Sequence, residues 1–240
     1  MVVWMEILLP KYIGDGVLQE EKYSDFWRLI NIQGLRPFLY MCEGYYPCFV
    51  AAAYTTIFIR DNRNDEGNVG FFLGFKIGGR EYQFHLHTLA IAWDLKNEGA
   101  TFKGGRNLQG TWNKFDMMDA VRELRLEPAV SGKSTVSRMT TVFLLYVLSY
   151  VLLPRKSNHG TTTEEDLLIL WAMIKEKQIH WPYLMAHRML RYSHGKANSF
   201  LGHVHLWTNI FEIAPLDLTR EEVVTPGETN VITSKNINQM

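Results

Sequence analysis

Residues 152–190 read LLPRKSNHGTTTEEDLLILWAMIKEKQIHWPYLMAHRML, and their punctuation decides the fold class. Pro154 stops the apolar run before it, because proline has no N–H to donate and its ring clashes with the turn behind. A polar turn follows. Thr162 with Glu165, or Thr163 with Asp166, then offers a capping box for a helix running to about Lys177. Leu167, Leu170, Trp171 and Ile174 form the strongest face of that helix. Pro182 stands where proline is favoured, in the first turn of a helix. It predicts a further helix over residues 182–194, with Met185, Ala186, Met189 and Tyr192 opposite His187, Arg191 and His194. Upstream, residues 135–153 are apolar almost all round, which places that helix centrally in a core. The helices over 135–153 and 164–177 are expected to be the two most buried.

The N-terminal half is less regular. Tyr23, Phe26, Trp27 and Ile30 recur at helical spacing in a segment starting near Leu18, and Gly34 and Pro37 close it. Residues 49–59 follow Pro47 and are read as helix, although Thr55, Thr56, Ile57 and Ile59 also suit a strand. Residues 61–67, DNRNDEG, form a polar loop. Residues 70–84 alternate aromatic and aliphatic side chains around Gly78-Gly79, which permits the positive φ angles of a tight hairpin. A short helix over 88–95, a glycine-rich loop over 96–110, a helix over 114–124 and a last helix over 200–211 complete the pattern. The expectation is a mainly α fold: a single helical domain with one small β-hairpin over residues 1–218, and a polar, mobile C-terminal tail over 219–240.

Composition bounds the function. The chain has 240 residues, enough to bury one contiguous core without metals or disulfides. Lys+Arg and Asp+Glu are both 25. A dedicated nucleic-acid binder carries a basic excess, since neutralising phosphates supplies most of its affinity. Here any such contact must come from a local patch. One patch is readable: Lys175, Lys177, Arg188, Arg191 and Lys196 face Glu176 alone, with Trp181, Tyr183 and Tyr192 interleaved. Arg188, Arg191 and Lys196 are its candidate nucleic-acid contacts, against the plainer reading of a solvated helix face. Cys42 and Cys48 form no CxxC pair, and the N-terminus lacks a signal-peptide pattern. The most apolar run, residues 142–153, is shorter than the about 20 residues a bilayer needs. An intracellular protein of cytoplasm or nucleus is expected, neither secreted nor membrane-bound.

No motif specifies a reaction. Ser131-Gly132-Lys133-Ser134-Thr135 precedes a helix as a phosphate-binding loop would, but the position needing the first glycine is Glu127, whose carboxylate would repel phosphate. His85/His87 and His203/His205 have HxH spacing, yet zinc needs further ligands that nothing in the sequence places nearby. Three metal-binding carboxylates can always be chosen from 25 acids, so such a choice carries no information. The chain is read as noncatalytic, with no cofactor and no metal.

Several segments together resemble the plant transposon protein family, open reading frames of plant retroelements related to the first reading frame of Athila-type elements. Leu153-Pro154-Arg155, Trp181-Pro182-Tyr183-Leu184 and Glu221-Glu222-Val223-Val224 are the closer matches. Tyr45–Val50 with Ala53-Tyr54 looks like the family segment ending in a Phe-Tyr-Ala-Asn-Leu-like run, which here is the divergent AAYTTI. Phe75–Tyr82 is similar to its hairpin, but Trp93-Asp94-Leu95 stands at its Leu-Gly-like pair and His85 at its Ser or Asp cap. The plant mobile domain shares the helical character and fits the LPR and WPYL segments less well. The likeness runs from about Trp27 to the C-terminus. It implies a noncatalytic, gag-like assembly or protein-interaction domain of a plant retroelement, or its genomic relic; protein partners or self-association are expected, with weak nucleic-acid contact. The alternative is a nucleic-acid-binding module of a transposable element using the basic helix face.

Overall fold

The computed structural model describes residues 6–9, 11–14, 23–63, 69–101, 116–124, 138–157, 159, 162–194 and 200–233. The described chain is mainly helical with small sheets. Helix α1 (Ser24–Gln33) ends at Gly34, whose φ of 68° lets the amides of Gly34 and Leu35 turn back onto the carbonyls of Asn31 and Ile30. The helix does not simply close at Pro37. A second short helix, α2 (Arg36–Tyr40), takes that proline into its first turn, where no N–H is needed.

Helix α3 (Pro47–Thr56) is also opened by proline, and the β-branched residues after it form a strand rather than prolonging it. Strand β3 (Phe58–Arg63) pairs antiparallel with β4 (Val69–Ile77), which pairs with β5 (Arg80–His85), in the order β3-β4-β5. The expected hairpin is therefore two-thirds of a three-stranded sheet, and Asp61–Arg63 belong to a strand and not to a loop. Alternation explains the sheet's sidedness: Phe71, Leu73 and Phe75 point into the core, where Phe75 packs edge-on against Trp207 and Phe211.

Helix α4 (Leu86–Ala92) follows β5 directly, and α5 (Met117–Glu123) is capped by the Asp116 carboxylate, which accepts from Asp119 N–H. Helix α6 (Arg138–Val147) widens into a π-helical turn over Leu148–Leu152, with Leu153 N–H bonded five residues back to Leu148. Pro154 lies immediately beyond. Helix α7 (Glu164–Ile174) begins with the capping box Thr163/Asp166, and each residue from Glu165 to Ile174 is buried. Helix α8 (Trp181–Ser193) has Pro182 in its first turn. The expectation holds for α7 and not for α6, whose Met139 is 41 % exposed, whereas most of α8 is buried. The expected polar face of α8 is largely covered because its heads find partners: His187 lies against Phe71 and Tyr183, and the arginines reach Glu165.

The last predicted helix starts later than expected. Phe200–Leu201 form strand β6, and α9 runs over Val204–Ile213. Strand β1 (Glu6–Ile7) pairs parallel with β6, and β2 (Tyr12–Ile13) pairs parallel with β7 (Val231–Ile232). The polar segment after Glu221 is thus not free. Val224 and Tyr45 exchange both backbone hydrogen bonds at 2.9 Å, and Ile232 is buried. Residues 234–240 lie outside the described residues.

Helix α1 is tied to the α7–α8 connection by the Arg28–Glu176 ion pair, by the Gln178 amide donating to Gln33 O, and most deeply by the Gln33 side chain. The fully buried Gln33 amide donates to Lys177 O at 2.8 Å and accepts from Ile179 N–H and Trp181 Nε1–H, both at 3.1 Å. No described helix is long and apolar enough to cross a membrane.

Candidate functional site

The sheet has one face on the core and one face turned outward. Register places Phe58 and Arg60 of β3, Phe72, Gly74 and Lys76 of β4, and Glu81, Gln83 and His85 of β5 on that outer face. Its side chains are half-buried or exposed. The tip of the Phe58 ring covers Gly74, where a Cβ would come within 2.3 Å of it, so only glycine accommodates the ring there. The Arg60 guanidinium sits 4.9 Å above Phe58, and the Phe72 and His85 rings meet at a tilt of 44° with centroids 4.0 Å apart. Glu81 joins the strands by accepting from Arg60 at 2.9 Å and pairing with Lys76 at 3.3 Å. Desolvation is the largest single influence and raises the Glu81 carboxyl, but the Lys76 and Gln83 hydrogen bonds and the charges of Arg60 and Lys76 together outweigh it and hold the group below its usual range.

Strand β5 is an edge: within its sheet it pairs with β4 alone. Gly78 and Gly79 have φ of 57° and 78°, the two positive angles of a type I′ turn, so Ile77–Arg80 is the closing hydrogen-bonded pair. Bonding then alternates along an antiparallel ladder. Residues 80, 82 and 84 bond to β4, while the N–H and C=O of Glu81 and Gln83 and the N–H of His85 point outward; the His85 C=O is taken up as the N-cap of α4. The same alternation turns Lys76 toward β3, and there the Thr56 hydroxyl accepts from Lys76 N–H at 2.8 Å and donates to Lys76 O at 3.0 Å. A dangling pair at one edge is thus closed by a side chain; among the described residues no side chain closes those of Glu81 and Gln83 in that way.

The sequence-derived basic patch lies elsewhere. Arg191 grips Glu165 with two nitrogens at 2.7 and 3.0 Å, and Arg188 reaches the same carboxylate at 3.3 Å. Arg188 also donates to Tyr192 Oη at 3.3 Å, and Tyr192 donates to Pro154 O at 2.8 Å. Arg155 pairs with Asp166 at 3.1 Å beside them. The two arginines on which a helix-face nucleic-acid contact would depend are held by a carboxylate whose side chain is only 10 % exposed. Lys196 lies outside the described residues. The same cluster locks the LPR turn to the N-terminus of α7 and the C-terminal half of α8.

The histidine pairs separate. His85 and His87 are exposed at the β5–α4 junction. His203 and His205 are buried at the start of α9, His203 with a φ of 55° and its ring near Tyr192. Burial holds both imidazoles neutral: His203 falls well below its ordinary pKa, helped by His205 and Arg188, and His205 falls to about 4. Among the described residues no three His, Cys, Asp or Glu side chains gather as a metal site would require. Cys42 and Cys48 are free and exposed, and the Ser131–Thr135 segment lies outside the described residues.

Sequence reasoning found the hairpin but not its outer face. A signal was present in the contiguous Phe71-Phe72-Leu73, which puts an aromatic on each side of a strand and so leaves Phe72 on the polar side. No protein-family description, curated protein or solved structure matches the chain.

Proposed function

We propose that this chain is a noncatalytic association domain of a plant retroelement, gag-like in role, folded as one helical domain that presents its sheet to partners. The observation that supports this best is the outer sheet face and its β5 edge. Half-buried Phe58 and Phe72 sit among charged side chains, and a row of backbone donors and acceptors adjoins them. Aromatic residues within a polar rim are enriched at protein interfaces, and an unpaired edge is a template for another strand. Charge balance points the same way, because a chain with 25 cationic and 25 anionic side chains lacks the field that draws polyanions. The retroelement origin rests on the LPR, WPYL and EEVV segments.

Nucleic-acid binding through α8 is the weaker alternative, since Arg188 and Arg191 already neutralise Glu165. Light scattering over a concentration series, with RNA filter binding near physiological salt, separates the two. The expected result is a mass that rises with concentration and weak, salt-sensitive RNA retention. A strictly monomeric protein binding RNA at submicromolar affinity, and losing it in Arg188→Ala/Arg191→Ala, would reverse the assignment.

A further inference from the structure

Resting on the association reading, we propose that the partner of the β5 edge is a second copy of the same edge, paired antiparallel about a two-fold axis through Gln83. Three constraints single out this register. Only Glu81, Gln83 and His85 direct backbone groups outward, so these residues must face one another in the hydrogen-bonded positions of a new ladder. A two-fold axis requires that partners have a constant sum of residue numbers. The register that uses all three residues sets Gln83 opposite Gln83, and Glu81 opposite His85 of the second copy.

The side chains suit that register on both faces. On the outer face, a carboxylate meets an imidazole twice and two amides meet at the axis, where each can donate and accept. On the inner face, Tyr82 falls opposite Phe84 of the other copy, again twice. Both rings are only half-buried in the single chain, although they pack against its core. Aromatic pairs directly across a ladder are stabilising, whereas a shift by two residues in either direction separates both the Tyr82–Phe84 and the Glu81–His85 pairs. The product is a continuous six-stranded sheet with its aromatic outer face doubled in area. Edge strands that avoid such pairing carry prolines, bulges or inward-pointing charges; β5, REYQFH, has neither proline nor bulge, and its one inner-face charge, Arg80, stands at the exposed start of the strand beside the turn.

Sedimentation equilibrium of the full chain tests this with Gln83→Lys and Gln83→Glu, at an exposed side chain whose backbone groups are not needed within the chain. Each variant alone should raise the dimer dissociation constant roughly tenfold or more, because two like charges meet at the axis. An equimolar mixture should recover dimer as the Lys/Glu pair. Far-UV circular dichroism confirms that each variant remains folded. Residue-resolved amide exchange adds an independent reading: protection at 83 and 85 should rise with protein concentration, while 80, 82 and 84 are protected throughout. A dimer indifferent to Gln83→Lys, with 83 and 85 still exchanging freely, overturns the edge pairing and leaves association by another surface standing. A wild-type chain that stays monomeric up to about 100 μM, where even a modest interface of about −5.5 kcal/mol would be half-formed, overturns both.

Discussion

Gln33→Leu should destabilise the protein by about 4 kcal/mol, although it replaces a polar residue by an apolar one of similar size in a buried position. The amide oxygen accepts from Ile179 N–H and from Trp181 Nε1–H, and the amide nitrogen donates to Lys177 O. Ile179 and Trp181 are 0 % and 1 % exposed, so neither donor can turn to water once the acceptor is gone. A buried donor left unpaired costs about 1–3 kcal/mol, giving about 2–6 kcal/mol for the two. The Lys177 carbonyl adds little, because its residue is half-exposed and water can replace the amide. Leucine fills the volume, so no cavity contribution is added. In a chain of this size about 4 kcal/mol corresponds to a drop of about 8–16 °C in the thermal midpoint. Thermal unfolding followed by circular dichroism measures it, with Asn31→Ala on the exposed face of the same helix as the control. A Gln33→Leu protein within about 1 kcal/mol of the parent would refute the view that this amide fastens α1 to the α7–α8 connection.

Leu170→Asp places an unpaired carboxylate at a site with no exposure and should leave the chain unfolded; a soluble variant with an unchanged midpoint would contradict the central position of α7. Stability should fall on acidification between pH 6.5 and about 4, because the unfolded chain protonates its imidazoles at about 6.5 while burial keeps His203 and His205 neutral. The slope is up to about 1.4 kcal/mol per pH unit for each group, and His205→Phe should flatten it; equal midpoints at pH 7 and pH 5 would count against it. Gly99→Ala should lower the midpoint and expose the Ala100 amide to exchange. Gly99 has a φ of 115°, and an added Cβ would lie 2.6 Å from the Ile179 carbonyl carbon, beside the Ala100–Gln178 bond. Unchanged protection at Ala100 would show that the backbone relaxes there.

What the sequence determined is whatever is encoded within a few residues. The Thr163/Asp166 box acts across three positions, Pro47 and Pro182 need only the φ angle and missing N–H that proline always has, and Gly78-Gly79 make a turn whatever surrounds them. The helices over 164–174 and 181–193, and the pairing of β4 with β5, were legible for that reason. Tertiary structure alone decided the rest. Ile57 and Ile59 suit helix and strand alike, and only the β4 backbone beside them selects β3. The two-residue strands β1, β2, β6 and β7 have no period to read and exist because a distant partner supplies hydrogen bonds. The candidate site divides the same way. Arg188 and Arg191 look like solvated cations along α8 until Glu165, more than twenty positions earlier, takes both guanidinium groups. The outer face is invisible until three strands are in register, since alternation says that Phe58, Phe72 and His85 lie on some face but not that they share one. Local signals bind neighbours along the chain, whereas a surface is assembled from residues whose proximity only the folded core creates.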